Sequence, residues 1–191
     1  MSISFDLTGR RFVVTGASSG IGRQTVVDLV AAGAHVLAVA RRQDRLAELA
    51  SQYPNRVTPA ALDVCDFTAL RTACSQFAKN GLISGSVHAA GINRFLPLKV
   101  FDWGEAEQIL KTSVNAGIEL IRVVTHRALS TVSSAHVQVA SAMALVGQIG
   151  FAPYCAAKSA LLGAVRCLAL ELAPRKSRIN VVSPGWLTTE M

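Results

Sequence analysis

Tyr154 and Lys158 stand four residues apart, and Ser141 lies thirteen residues before the tyrosine. Positions four apart on a helix share a face. A phenol with an ordinary pKa of about 10 is a poor acid or base at neutral pH. A nearby ammonium favours the phenolate and lowers that pKa, which makes the pair a candidate proton donor. A serine hydroxyl can donate to a carbonyl oxygen as charge develops there. Taken alone, the same residues also read as a core tyrosine, a surface lysine and a hydroxyl at a strand end. Glycines near the start of the chain decide between the two.

Gly16, Gly20 and Gly22, with Ser18, Ser19 and Ile21 among them, follow the apolar run Phe12-Val13-Val14-Thr15. Glycine allows a tight turn and close approach of the backbone to a phosphate. The amides and dipole of a following helix then favour negative charge. A nucleotide is the expected ligand. Sheets that bind NAD usually place an acid at the end of the second strand, where it accepts from the ribose 2′-hydroxyl. This chain has Ala40-Arg41-Arg42 there. The planar fork of arginine suits a 2′-phosphate, so NADP(H) is the expected cofactor.

Such distant groups meet only if the chain folds back repeatedly. Short apolar, β-branched runs alternate with longer helical stretches. Strands are expected at 12–15, 35–40, 57–62, 86–90, 136–140 and 178–183, with helices at 21–32, 44–52, 67–79, 103–129 and 152–172. Alternation of this kind argues for βαβ units, and near-continuous apolar strands for a sheet covered on both faces. The expected fold is α/β, a doubly wound, Rossmann-like parallel sheet of strand order 3-2-1-4-5-6. Its ligand sits beyond the C-terminal strand ends, among the loops after strands one, four, five and six.

A length of 191 residues fits one domain, 1–191. With 51% hydrophobic and 16% charged residues, a mainly disordered chain is excluded. No stretch reads as a membrane span or a secretory signal, and a cytoplasmic location is expected. The net charge is +7, but the 19 lysines and arginines are scattered, so no nucleic-acid arm is expected. Cys65, Cys74, Cys155 and Cys167 lack paired spacing and read as reduced thiols, with neither a disulfide frame nor a metal site.

Together, Thr15-Gly16-Ala17-Ser18-Ser19-Gly20-Ile21-Gly22 and the Ser141, Tyr154, Lys158 spacing resemble the short-chain dehydrogenase/reductase family. The resemblance runs from Gly9 to Met191. It implies hydride exchange between NADP(H) and a carbonyl or secondary alcohol. By resemblance, Tyr154 is the general acid in reduction, Lys158 lowers its pKa and holds the nicotinamide ribose, and Ser141 orients the carbonyl. Asn115 anchors a relay water near Lys158. Asp63 and Val64 flank the adenine, Ala89, Ala90 and Gly91 leave room for the cofactor, and Pro184, Gly185 and Thr189 hold the nicotinamide. The family also implies a homodimer or homotetramer through the helices carrying Asn115 and Tyr154.

Two departures from the family pattern stand out. Its Asn-Asn-Ala-Gly after strand four is His88-Ala89-Ala90-Gly91 here, which removes asparagine bonds that brace the strand. His88 could replace one of them, although a lone histidine beside a strand is more often structural. Members also usually continue several dozen residues past the place of Thr189, so the expectation is a shortened chain without the seventh strand. Its alternative function is a catalytically weak nucleotide-binding or oligomerising module. The expected substrate is a ketone or 3-oxoacyl thioester, taken in a pocket made by 92–98, 142–150 and 186–191. Phe95, Leu96, Leu145, Val146, Phe151 and Trp186 make that pocket apolar. Phe101-Asp102-Trp103 reads as the cap of the long helix.

Overall fold

A computed structural model of the chain describes residues 5–187. In chain order its elements are β1 (Arg11–Thr15), α1 (Gly20–Ala31), β2 (His35–Ala40), α2 (Gln43–Gln52), β3 (Val57–Ala61), α3 (Phe67–Ala78) and β4 (Ile83–His88). There follow α4 (Trp103–Leu110), a π-helical turn (Lys111–Asn115), α5 (Ala116–Val124), β5 (Ser130–Val139), α6 (Ala152–Leu172) and β6 (Arg178–Val182). The strands form one parallel sheet in the order β3-β2-β1-β4-β5-β6, as expected.

The period of two along each strand sets the layers. Val13, Leu37 and Val39 face one side and pack with Leu70 and Phe77 of α3 and Leu120 and Val124 of α5. Val14, Val36 and Ala38 face the other and pack with Val26 of α1 and Leu46 and Leu49 of α2. Burying each such aliphatic side chain contributes about 1.5–3 kcal/mol. Pro59 sits in β3, at the sheet edge; Arg56 and Leu62 make ladder bonds to β2, so by alternation the Pro59 nitrogen faces the open edge and no ladder bond is lost. A third cluster, Ile121, Val165, Leu172 and Ile179, seats α6 between α5 and β6.

Three boundaries differ from expectation. The helix expected over 103–129 is interrupted: α4 ends at Leu110, the π turn follows, and α5 ends at Val124. Asp102 does cap it, its carboxylate accepting from the Glu105 amide at 2.8 Å. Strand β5 begins at Ser130, six residues early: Ser130 pairs with Ile83 and Ala135 with Gly85, and the residues between them bulge out of register, with Ser133 at φ 65°. Strand β4 begins at Ile83 and includes Gly85, which lies so close under the Ala135 carbonyl and the Phe12 ring that a side chain there has no room.

Candidate active site

The first loop is built by backbone contact. Gly16 has φ 70° and Gly20 φ 51°, conformations that favour glycine. A Cβ on Gly16 would stand 2.7 Å from the Ala89 carbonyl carbon, and one on Gly22 would meet the Gly16 carbonyl. Ser19 is the N-cap of α1, yet its side chain caps nothing. The Arg42 guanidinium instead donates to Ser19 Oγ at 2.6 Å and to Ser18 Oγ at 2.9 and 3.1 Å. The first amides of α1 are left without a side-chain acceptor, as a phosphate-binding helix end requires.

A cavity of about 470 Å³ opens here. Gly16, Ser18, Ser19, Gly20, Ile21, Gly22, Arg41, Arg42, Asp63, Val64, Ala89, Ala90 and Gly91 all line it, so the expected cofactor residues up to Gly91 meet in one place. Thr112 lines it as well. Sequence reasoning missed that residue because its placement depends on the π turn, which leaves no mark in residue spacing. Pro184 and Gly185 lie elsewhere: the Pro184 carbonyl accepts from the Ala142 amide at 2.8 Å, beside Ser141. Thr189 is outside the described residues.

Ser141, Tyr154 and Lys158 converge beside this cavity. Ser141 ends the extended segment after β5; its Oγ accepts from the Met143 amide at 3.2 Å, and its hydroxyl is hydrogen-bonded to Tyr154. Pro153 starts the first turn of α6, where its fixed φ suits a helix, and Tyr154 and Lys158 follow on one face. Lys158 Nζ reaches down to the sheet and donates to the Val139 carbonyl at 2.8 Å. Gly91 of the cavity wall is near enough that a Cβ there would stand 3.4 Å from Lys158 Nζ. Tyr154 packs against the buried cluster Leu96, Ala106, Ile109 and Ala157, on which Ile92 of the cavity rim and Val114 of the π turn also rest.

The electrostatics differ from the simple expectation. Burial brings Lys158 down to about 8. Tyr154 is raised, not lowered: burial is the largest cause, Cys155 adds to it, and hydrogen bonding with Ser141 acts the other way. The physical reason is that the ammonium is engaged by the Val139 carbonyl and faces the phenol ring, 5.6 Å from its centroid, rather than the hydroxyl. Asn115 closes the π turn, and its exposed side chain makes no hydrogen bond among the described residues, so the expected tie from its amide to the group is not seen.

His88 is fully buried. Its Nδ1 is 2.8 Å from Thr15 Oγ1, and its Nε2 is 3.1 and 3.2 Å from the Thr112 and Ser113 carbonyl oxygens. Burial, then the Lys158 ammonium, pushes its pKa down to about 4, so the ring is neutral at pH 7.

The expected apolar pocket does not form as one wall. Leu96 is buried and its amide donates to the Gly150 carbonyl at 2.7 Å, while Phe95 meets Phe151 edge to face at 5.7 Å. These contacts zip 92–98 to 142–151. Leu145, Val146 and Trp186 are exposed, Trp186 by 88%, because no described residue packs over them.

The short chain dehydrogenase family model matches residues 10–191. L-xylulose reductase of Mesocricetus auratus is 35% identical over 188 residues, spanning 97% of this chain and 75% of that protein. A 3-oxoacyl-(acyl-carrier-protein) reductase of Thermotoga maritima is 29% identical over 192 residues, spanning 97% and 77%. A dehydrogenase/reductase structure from Sinorhizobium meliloti 1021 superposes with a TM-score of 0.89 at 27% identity, covering 98% of this chain and 76% of that one. The family model and these relatives match nearly the whole chain, and the chain belongs to the short-chain dehydrogenase family of oxidoreductases.

Proposed function

We propose that the chain reduces a small carbonyl compound, a ketone or a 3-oxoacyl thioester, with NADPH as the partner. The observation that carries this reading is contiguity: the wall of the phosphate-type cavity, at Gly91, stands beside the ammonium of the Ser141–Tyr154–Lys158 group, close enough that an added Cβ would meet it. The residues present fit a dinucleotide. The cradle at Gly16 and Gly22 has no space for side chains, the start of α1 is uncapped, and Arg41 and Arg42 stand on the cavity rim without an acid between them. Arg41 and Arg42 would hold the 2′-phosphate, the amides of 18–22 the pyrophosphate, and Asp63 and Val64 the adenine. Ala89, Ala90 and Gly91 would give the riboses room, with Pro184, Gly185 and Thr189 at the nicotinamide. When bound, the nicotinamide supplies the hydride that arrives at the carbonyl carbon.

The chain's own groups supply the rest. Ser141, whose hydroxyl is bonded to Tyr154, would turn its O–H to the carbonyl oxygen and fix its orientation. Tyr154, whose raised pKa keeps the phenol protonated at neutral pH, gives its Oη proton to that oxygen as negative charge develops. Lys158 retains two N–H bonds beyond the one to Val139 and holds the nicotinamide ribose while replenishing the phenol. Names of the relatives support the substrate class: one reduces a ketose, another a 3-oxoacyl group. We further propose that residues 1–191 act as one domain. That domain would pair with a second copy through α5 and α6, whose outer faces expose Ile118 and Leu170.

The test titrates the full chain with NADPH and NADH by nucleotide fluorescence, then adds L-xylulose or an acetoacetyl thioester and follows NADPH oxidation. Binding of NADPH about tenfold tighter than NADH is expected, with the difference erased in the Arg41→Ala/Arg42→Ala double variant. Binding without oxidation by either class of carbonyl would replace this reading with that of a nucleotide-binding module.

A further inference from the structure

We propose that His88 is a positioning residue: it brackets the nucleotide loop to the π turn that ends at Asn115, so that both halves of the site keep one register. Its functional half rests on the nucleotide reading above. Carbonyl oxygens can only accept, so the Nε2 atom facing Thr112 and Ser113 must carry the hydrogen. The neutral ring then accepts at Nδ1 from the Thr15 hydroxyl. Thr15 Oγ1 in turn accepts from the Ala90 amide at 3.3 Å. One chain of hydrogen bonds therefore runs from Ala90, on the cavity wall, through Thr15, the residue before Gly16, to the turn after α4.

Two further features point the same way. The Ala116 amide reaches back five residues to the Lys111 carbonyl, so the helix is widened where the imidazole takes its two carbonyls. Gly117, one turn on, makes room for the ring: a Cβ there would stand 3.0 Å from His88 Cδ2 and 2.6 Å from Gln138 Oε1. Glycine is a poor helix residue, and here it gives space to the bracket. A purely filling role would need neither the fixed tautomer nor the pair of carbonyls.

Nitrogen NMR of histidine-labelled full-length protein at neutral pH should show His88 as the Nε2–H tautomer. An Nδ1–H ring or an imidazolium would overturn the proposal. His88→Leu keeps bulk and loses both arms, whereas His88→Gln keeps one acceptor and one donor. The leucine variant should weaken NADPH binding and slow turnover at saturating NADPH, each by about tenfold, and the glutamine variant should restore both to within about threefold. If His88→Leu does not fold, Thr15→Val removes one arm alone and should lower both quantities together. A folded leucine variant with both intact, or a valine variant that alters binding only, sinks the bracket. If the wild type binds no NADPH, the proposed function fails by itself, and the tautomer alone decides the bracket.

Discussion

Burial holds the Tyr154 phenol above its ordinary range, so it is protonated at neutral pH but a weaker acid than a free phenol, and its proton moves only as negative charge develops on the acceptor oxygen. Replacing Tyr154 by phenylalanine removes that proton and leaves the cavity lining alone. Turnover should fall by about 10²–10⁴-fold while the NADPH dissociation constant stays within about threefold, read by titration beside the steady-state assay. Lys158 sets a second expectation. Its pKa of about 8 lies below the ordinary 10.5, so the ammonium is present at neutrality and is lost as pH rises through about 8. The reduction rate should therefore be level through neutrality and decline above that point. In Lys158→Arg the charge persists at every accessible pH, and the alkaline decline should move upward whatever the absolute rate. A wild-type profile flat to pH 10 would show that the ammonium has no part in the reaction.

Elements that carry the site differ in how openly the sequence displays them. β1, β2 and the glycine loop were legible because alternation and glycine spacing are local signals, and Val13/Val14 divide between the faces as the period requires. The break after Leu110 was not. A π turn needs no special residue; it arises from which carbonyls find partners, and here Thr112 and Ser113 find His88 across the sheet end. β5 hid behind serines for a related reason: Ser134 is buried and its hydroxyl is bonded to Ser177 and His136, so polar residues lie inside without penalty. The pairing of Phe95 with Phe151 was equally out of reach, since loops distant in sequence decide it. The glycine loop yields the prediction at this scale. Gly22→Ala would put a methyl against the Gly16 carbonyl. Because that atom is backbone, strand and helix must separate, at a cost of about 1–3 kcal/mol. NADPH binding should weaken by about tenfold or more, and the thermal midpoint should drop by several degrees, on the scale of a domain this size.

For the molecule as a whole, the buried histidines set how it meets acid. His88 and His136 both titrate at about 4, mainly through burial, against an ordinary value of 6.5. His136 is held by Ser86 Oγ on Nδ1 and Ser134 Oγ on Nε2, each at 2.9 Å. Because both folded pKa values are depressed, the unfolded chain binds protons first as pH falls. Stability is thus full above about 6.5 and is lost progressively between 6.5 and 4, by on the order of 1 kcal/mol per pH unit for each histidine. Below 4 the histidines add no further slope. Urea unfolding at a series of pH values reads this directly. General repulsion offers a rival cause, since a chain of net charge +7 gains more positive charge in acid. The two separate with salt: repulsion between surface charges is screened at high ionic strength, whereas the cost of charging an imidazole inside the sheet is not. The slope between 6.5 and 4 should therefore survive high salt and fall by about half in His136→Gln, whose amide can still bond both serines without titrating. A slope abolished by salt would assign the acid sensitivity to the surface and leave the buried rings without a part in it.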